Sequence, residues 1–125
     1  MPTHAEAVAL FDRRRLAWLR EDLDGYLALW ADDMTFGSPM HPDPLVGRPA
    51  FAELVHRSNA MSKPLRFDVT HLAVHGDVVL AEWSIAITHR ETGRVIAWDG
   101  MSVARYRDDR IQEWREYWNP ALLAP

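Results

Sequence analysis

The sequence predicts an α+β fold in which a curved antiparallel sheet wraps over three N-terminal helices. Three observations predict it. Apolar residues recur at helical spacing as far as residue 61; from Pro64 the period becomes two; and turn signals (Gly76-Asp77, Glu91-Thr92-Gly93, Asp108-Asp109) divide that second half evenly. At 125 residues the chain accommodates one core, so a single domain over 1–125 is expected.

The first helix is read over Ala5–Arg20, with Val8, Phe11, Trp18 and Leu19 near one stripe. Asp22 is placed to cap a second, Leu23–Trp30. Met34-Thr35-Phe36 is too short for a helix and reads as a strand running into Ser38-Pro39. The stretch from Ser38 to Pro49 holds four prolines (Pro39, Pro42, Pro44 and Pro49) and reads as a stiffened loop. Pro49 suits the first turn of a third helix ending at Met61, packed on Phe51, Leu54 and Val55. Strands are then expected over Leu65–Ala73, Val78–His89, Arg94–Tyr106 and Arg110–Trp118.

Composition excludes several classes. Apolar residues make up 48% of the chain and charged residues 26%, an ordinary globular balance. Net charge is −4, which disfavours a protein built to grip nucleic-acid phosphates. No apolar run approaches the roughly 18 residues of a membrane span, and no signal-peptide core is visible, so a cytoplasmic location is expected. With no cysteine there is no disulfide, thiol nucleophile or cysteine metal site. The six histidines lack the spacing of a paired helical metal site, and no phosphate loop, dinucleotide fingerprint or Ser-His-Asp signature is present. Neither metal nor cofactor is therefore expected. Six Trp, four of them from position 83 onward, are the unusual feature.

Three segments carry a family resemblance: Trp30-Ala31-Asp32-Asp33-Met34-Thr35-Phe36, then Gly47-Arg48 opening the third helix, then Arg110 to Trp118. Their order and spacing resemble the nuclear-transport-factor-2-like superfamily, in particular its SnoaL-like and ketosteroid-isomerase-like enzymes. The resemblance spans about residues 5 to 120. It implies a cone-shaped sheet with a deep, mostly apolar pocket. Members include isomerases, cyclases, dehydratases, epoxide hydrolases and plain binding modules, so the fold places a ligand without naming the chemistry.

Laid beside the isomerase pattern, the last strand turns Gln112, Trp114, Glu116 and Trp118 to the concave side. The same comparison puts Trp98, Gly100, Ser102 and Ala104 there, followed by Leu80, Glu82, Ser84 and Ala86. The ketosteroid isomerase set, a carboxylate base with Tyr and protonated Asp donors, maps onto Ser38, the neighbourhood of Arg14, and Ser102. All three groups are missing. Glu116 falls where SnoaL-like cyclases and limonene-epoxide-hydrolase-like members carry a catalytic aspartate. Flanked by Trp114 and Trp118, it would be desolvated and its pKa raised toward neutral proton transfer. The competing reading pairs it with Arg105 or Arg115, or leaves it solvated. The epoxide-hydrolase Arg–Asp pair has no counterpart, since Trp83 and Ile85 stand there.

The expected catalytic set is Glu116 with Glu82 or His41 as its complement. Trp98, Trp114 and Trp118 would position a hydrophobic ligand, and Ser102 or Ser38 would donate a hydrogen bond. The run Arg13-Arg14-Arg15 reads most simply as a solvated helix face; an inward Arg14 or Arg15 would hold a carboxylate or enolate. The function expected is cofactor-independent acid/base chemistry on a hydrophobic molecule with a carbonyl or enolisable centre. Its rival is a non-catalytic binding or association module. Family members pair through the outer sheet face, which is expected to carry Trp83, Ile85, Ile87, Val103 and Tyr117, so a homodimer is expected.

Overall fold

In a computed structural model, which describes residues 1–123, the chain forms helices α1 (His4–Leu19), α2 (Leu23–Ala28) and α3 (Arg48–Met61). Six strands accompany them: β1 (Trp30–Ser38), β2 (His41–Val46), β3 (Ser62–His75), β4 (Val78–His89), β5 (Val95–Arg107) and β6 (Arg110–Tyr117). A short 3-10 turn, Pro120–Leu123, follows. The last two residues of the expected 1–125 domain lie outside the described residues. No helix among the described residues is long and apolar enough to cross a membrane.

The strands make one curved, unclosed sheet in the order β2-β1-β6-β5-β4-β3. Every pairing is antiparallel except β1 with β6, so the sheet is mixed where an antiparallel one is expected. Local turn chemistry announces hairpins, whereas a parallel pair joins strands far apart in sequence and leaves no local signal. The second departure is β2. The proline-rich segment pairs with β1 through Phe36↔Leu45 and Ser38↔His41. Pro42 and Pro44 cannot donate to a ladder, and β2 is an edge strand, where that costs least. Trp30 begins β1 instead of ending α2.

Capping fixes the helix starts. Thr3 and Glu6 form a reciprocal capping box on α1, and Asp22 accepts from the Gly25 backbone N–H at 3.0 Å on α2. Gly47, at φ +91°, turns β2 into α3 and donates its N–H to the Met34 carbonyl at 2.7 Å. On α1 the buried stripe is Ala7, Leu10, Phe11 and Arg14, while Val8 faces water. The Arg15 Nε donates to the Phe67 carbonyl at 2.8 Å and ties α1 to β3.

The core between helices and sheet is aromatic. Trp30 meets Phe51 at 4.3 Å and Trp114 at 5.9 Å between ring centroids, and Phe11 meets Trp114 at 5.6 Å. Such rings contribute large buried apolar areas together with edge and stacking terms.

Register decides which strand residues face inward. β4 and β5 pair as Trp83↔Gly100, Ala81↔Ser102 and Ile85↔Trp98, so odd positions on β4 share a face with even positions on β5. This reverses the expected β4 assignment. Leu80, Glu82 and Ser84 lie on the outer face, and Trp83, Ile85 and Ile87 on the inner one. Of the five residues expected outside, Val103 and Tyr117 are there, with Leu80 and Met101 beside them. Trp83 fits because small residues stand opposite. A Cβ on Gly100 would lie 2.6 Å from its ring, and its indole N–H donates to the Ser102 hydroxyl at 3.1 Å. A register shift between Arg105 and Tyr106 re-phases the start of β6, burying Ile111, while Gln112 Nε2 donates to the Asp33 carbonyl.

Candidate active site

Between the concave face and the helices lies a cavity of about 380 Å³, within the roughly 300–1,000 Å³ range of small-molecule sites. Phe36, Phe51, Leu54, Ile85 and Ile87 supply much of its apolar wall. The polar groups that bear on its chemistry are Arg14 from α1, Ser38 from β1, His41 from β2 and Glu116 from β6, with Tyr26, Ser58, Asn59 and Ser62 also on the lining.

Glu116 is held through both carboxyl oxygens. Trp114 Nε1 donates to Oε1 at 3.3 Å and Trp118 Nε1 donates to Oε2 at 3.0 Å. The i−2 and i+2 neighbours of a strand residue lie on its own face, so alternation delivers two indole donors to one carboxyl. Burial raises the Glu116 pKa above the ordinary 4.5; Arg14 and the two indole N–H groups oppose the rise. The arginines of the competing reading are engaged elsewhere: Arg105 pairs with Asp77 and Glu113, and Arg115 with Glu113.

Arg14 is the group the basic run concealed. The three arginines have three fates: Arg13 is exposed, Arg15 is half-buried on β3, and Arg14 is 7% exposed. Its guanidinium lies 4.1 Å from the Trp114 ring centroid, 5.0 Å from that of Phe67 and 5.5 Å from that of Tyr26. Burial in this cluster pushes the Tyr26 hydroxyl pKa upward, with Arg14 opposing. Helical spacing held the signal, because Arg14 continues the buried stripe Ala7, Leu10, Phe11.

The cavity brings together Ser38, His41, Trp98, Glu116 and Trp118. Ser38 Oγ and His41 Nδ1 lie 3.2 Å apart, and the Met40 backbone N–H donates to the same Oγ. Trp98 and Trp118 pack at 5.9 Å between centroids. Three expected members are elsewhere. Glu82 sits outside, where its carboxylate accepts from Thr70 Oγ1 at 2.9 Å and meets His71 Nδ1 at 2.9 Å; these partners lower its pKa. Ser102 is wholly buried against Trp83, because the odd-to-even β4/β5 register places that indole over it. Trp114 is core, not cavity wall: its ring is covered by Arg14 and Phe11, and only its N–H reaches the site through Glu116. Among the described residues no group of three or more His, Asp or Glu is placed to hold a metal ion.

A family model for the SnoaL-like domain matches residues 8–114. The chain belongs to the SnoaL-like domain family. No curated protein matches it. Among solved structures, this SnoaL-like chain is similar to a candidate isomerase of Bacillus subtilis, with TM-score 0.86, 23% identity, and 98% of this chain and 92% of that one covered. It also resembles an LEH-like epoxide hydrolase of M. tuberculosis, with TM-score 0.81, 22% identity, and 96% and 87% covered. A third is a candidate polyketide cyclase of Xanthomonas campestris, with TM-score 0.75, 26% identity, and 92% and 91% covered. These likenesses establish the fold, and the activities named for the three neighbours differ from one another.

Proposed function

We propose that this SnoaL-like protein is a cofactor-independent proton-transfer enzyme for a hydrophobic molecule with a carbonyl or enolisable centre. One observation carries the reading: a carboxyl buried beside an apolar cavity, raised in pKa, and oriented by two indole N–H donors instead of a salt bridge. As the carboxylate, Glu116 takes a proton from carbon next to the carbonyl, and the C–H electron pair moves to the carbonyl oxygen as an enolate. Protonated Glu116 then returns the proton to the same carbon or to a conjugated one, giving exchange or isomerisation. Raised basicity favours the first step and a positioned carboxyl the second. With its proton on Nδ1, His41 donates to Ser38 Oγ and frees the serine hydroxyl to donate to a ligand oxygen. Trp98 and Trp118 offer flat apolar surface to the ligand body.

The association-module reading would be favoured by a carboxyl tied into an ion pair and a cone filled by Trp rings. Glu82 is engaged by Thr70 and His71, whereas Glu116 meets only indole N–H groups, and the cavity stays open. The test is NMR of α-proton exchange of 2-tetralone in D₂O. The wild-type protein should accelerate exchange, and Glu116→Gln should reduce the acceleration by roughly 10²- to 10⁴-fold while still folding. No acceleration over buffer, or equal rates for the two proteins, would overturn the assignment.

A further inference from the structure

Arg14 brings a guanidinium to a mostly apolar cavity, and among the described residues it forms no ion pair. No carboxylate of the described residues lies within 4.0 Å of it, and its Nε is buried with no hydrogen-bond partner. Its nearest neighbours are aromatic rings, whose faces attract a cation, and of these only Tyr26 also offers it an oxygen, a neutral hydroxyl. A buried ion left in this state is costly unless something with negative charge completes it. Glu116 acts on it only at longer range, without an ion-pair contact: its oxygens accept from the Trp114 and Trp118 indoles, and the Trp114 ring carries the Arg14 guanidinium on its face.

We infer that the ligand of this cavity is an apolar acid whose carboxylate is taken by the Arg14 guanidinium. The planar fork of a guanidinium matches a carboxylate, two N–H donors to two oxygens. Charge count selects a carboxylate over a phosphate ester. Among the described residues Arg14 is the only Lys or Arg lining the cavity, and a single cation does not balance a dianion. The apolar wall takes the remainder of the molecule, and the carboxylate end is fixed on the α1 side with the reacting carbon toward β6. This rests on the reading of the cavity as a small-molecule site but does not require Glu116 to turn anything over.

The test is calorimetric binding of three probes of equal apolar body: cyclohexylacetate, its neutral methyl ester and cyclohexyl phosphate. Wild-type protein should bind the carboxylate roughly 10- to 100-fold more tightly than the ester, the range of a charge-assisted hydrogen bond. Arg14→Met keeps the buried stem and should abolish that preference while ester affinity stays within about threefold. Arg14→Lys keeps the charge without the fork and should restore only part of it. The wild-type comparison needs no variant, so it decides even where Arg14→Met does not fold. Equal binding of acid and ester, no binding of the acid, tighter binding of the phosphate, or a preference surviving in Arg14→Met would each overturn the inference. Failure of 2-tetralone exchange alone would overturn the catalytic role of Glu116 and leave the carboxylate preference standing.

Discussion

Glu82 and Glu116 are the same residue type on two strands of one sheet, and the sheet treats them oppositely. Glu116 faces inward, meets two indole N–H groups in a desolvated site, and is shifted up. Glu82 faces outward, meets Thr70 and His71 beside solvent, and is shifted down. Register alone separates them. Chemistry in this fold is therefore a property of face before it is a property of residue type.

The comparison can be broken most severely at Trp114, the indole that seats Arg14 on its face and holds Glu116 at its edge. Trp114→Ala leaves a large core cavity and should cost about 3–5 kcal/mol, read as a lower urea midpoint; a loss under about 1 kcal/mol would show that the indole is no keystone. Next comes Gly100, whose missing side chain leaves room for Trp83. An added Cβ would meet Trp83 ring atoms at 2.6 and 2.8 Å and the Tyr117 carbonyl oxygen at 3.1 Å. Gly100→Ala should cost about 1–3 kcal/mol by overpacking; unchanged thermal unfolding would contradict that packing.

A pH comparison sharpens the contrast more gently. The folded-state pKa of Glu116 lies above its ordinary 4.5, so the neutral form is the one compatible with burial. Its contribution to stability is full below that ordinary value and drains away as pH rises through the folded value. Each pH unit between the two values corresponds to about 1.4 kcal/mol. Glu116→Gln cannot ionise, so it should lose less stability than wild type as pH rises above about 4.5. Parallel stability profiles in urea titrations would contradict the burial argument. The smallest effect is expected at Glu82. Its lowered pKa gives stability above the carboxylate range that is lost as pH falls, but the pair is exposed, and Glu82→Gln should move Tm by less than about 2 °C. A larger drop would make the outer pair structural.

Much of this was legible in the sequence. The period change near Pro64, the Asp22 cap and the three turn signals place three helices and the four C-terminal strands. The two aromatic neighbours of Glu116 follow from alternation. What escaped depends on long-range pairing. The parallel β1/β6 contact has no turn between its strands, and β2 is hidden by prolines that an edge strand tolerates. The face of β4 depends on whether the loop to β5 has an even or odd number of residues; Thr88↔Val95 leaves six. Apolar alternation at Trp83, Ile85 and Ile87 pointed inward all along, with Gly100 and Ser102 as small complements. Arg14 was obscured because charge at a core-facing helical position is read as solvated unless its neighbours are known to be aromatic.

The most direct measurement is carbon-13 NMR titration of the glutamate side-chain carboxyls, following Glu116 and Glu82 in one sample. The account predicts that Glu116 titrates above 4.5 and Glu82 below it. Glu116 titrating at or below Glu82 would contradict it, and the buried carboxyl would then be no better a proton carrier than one in water.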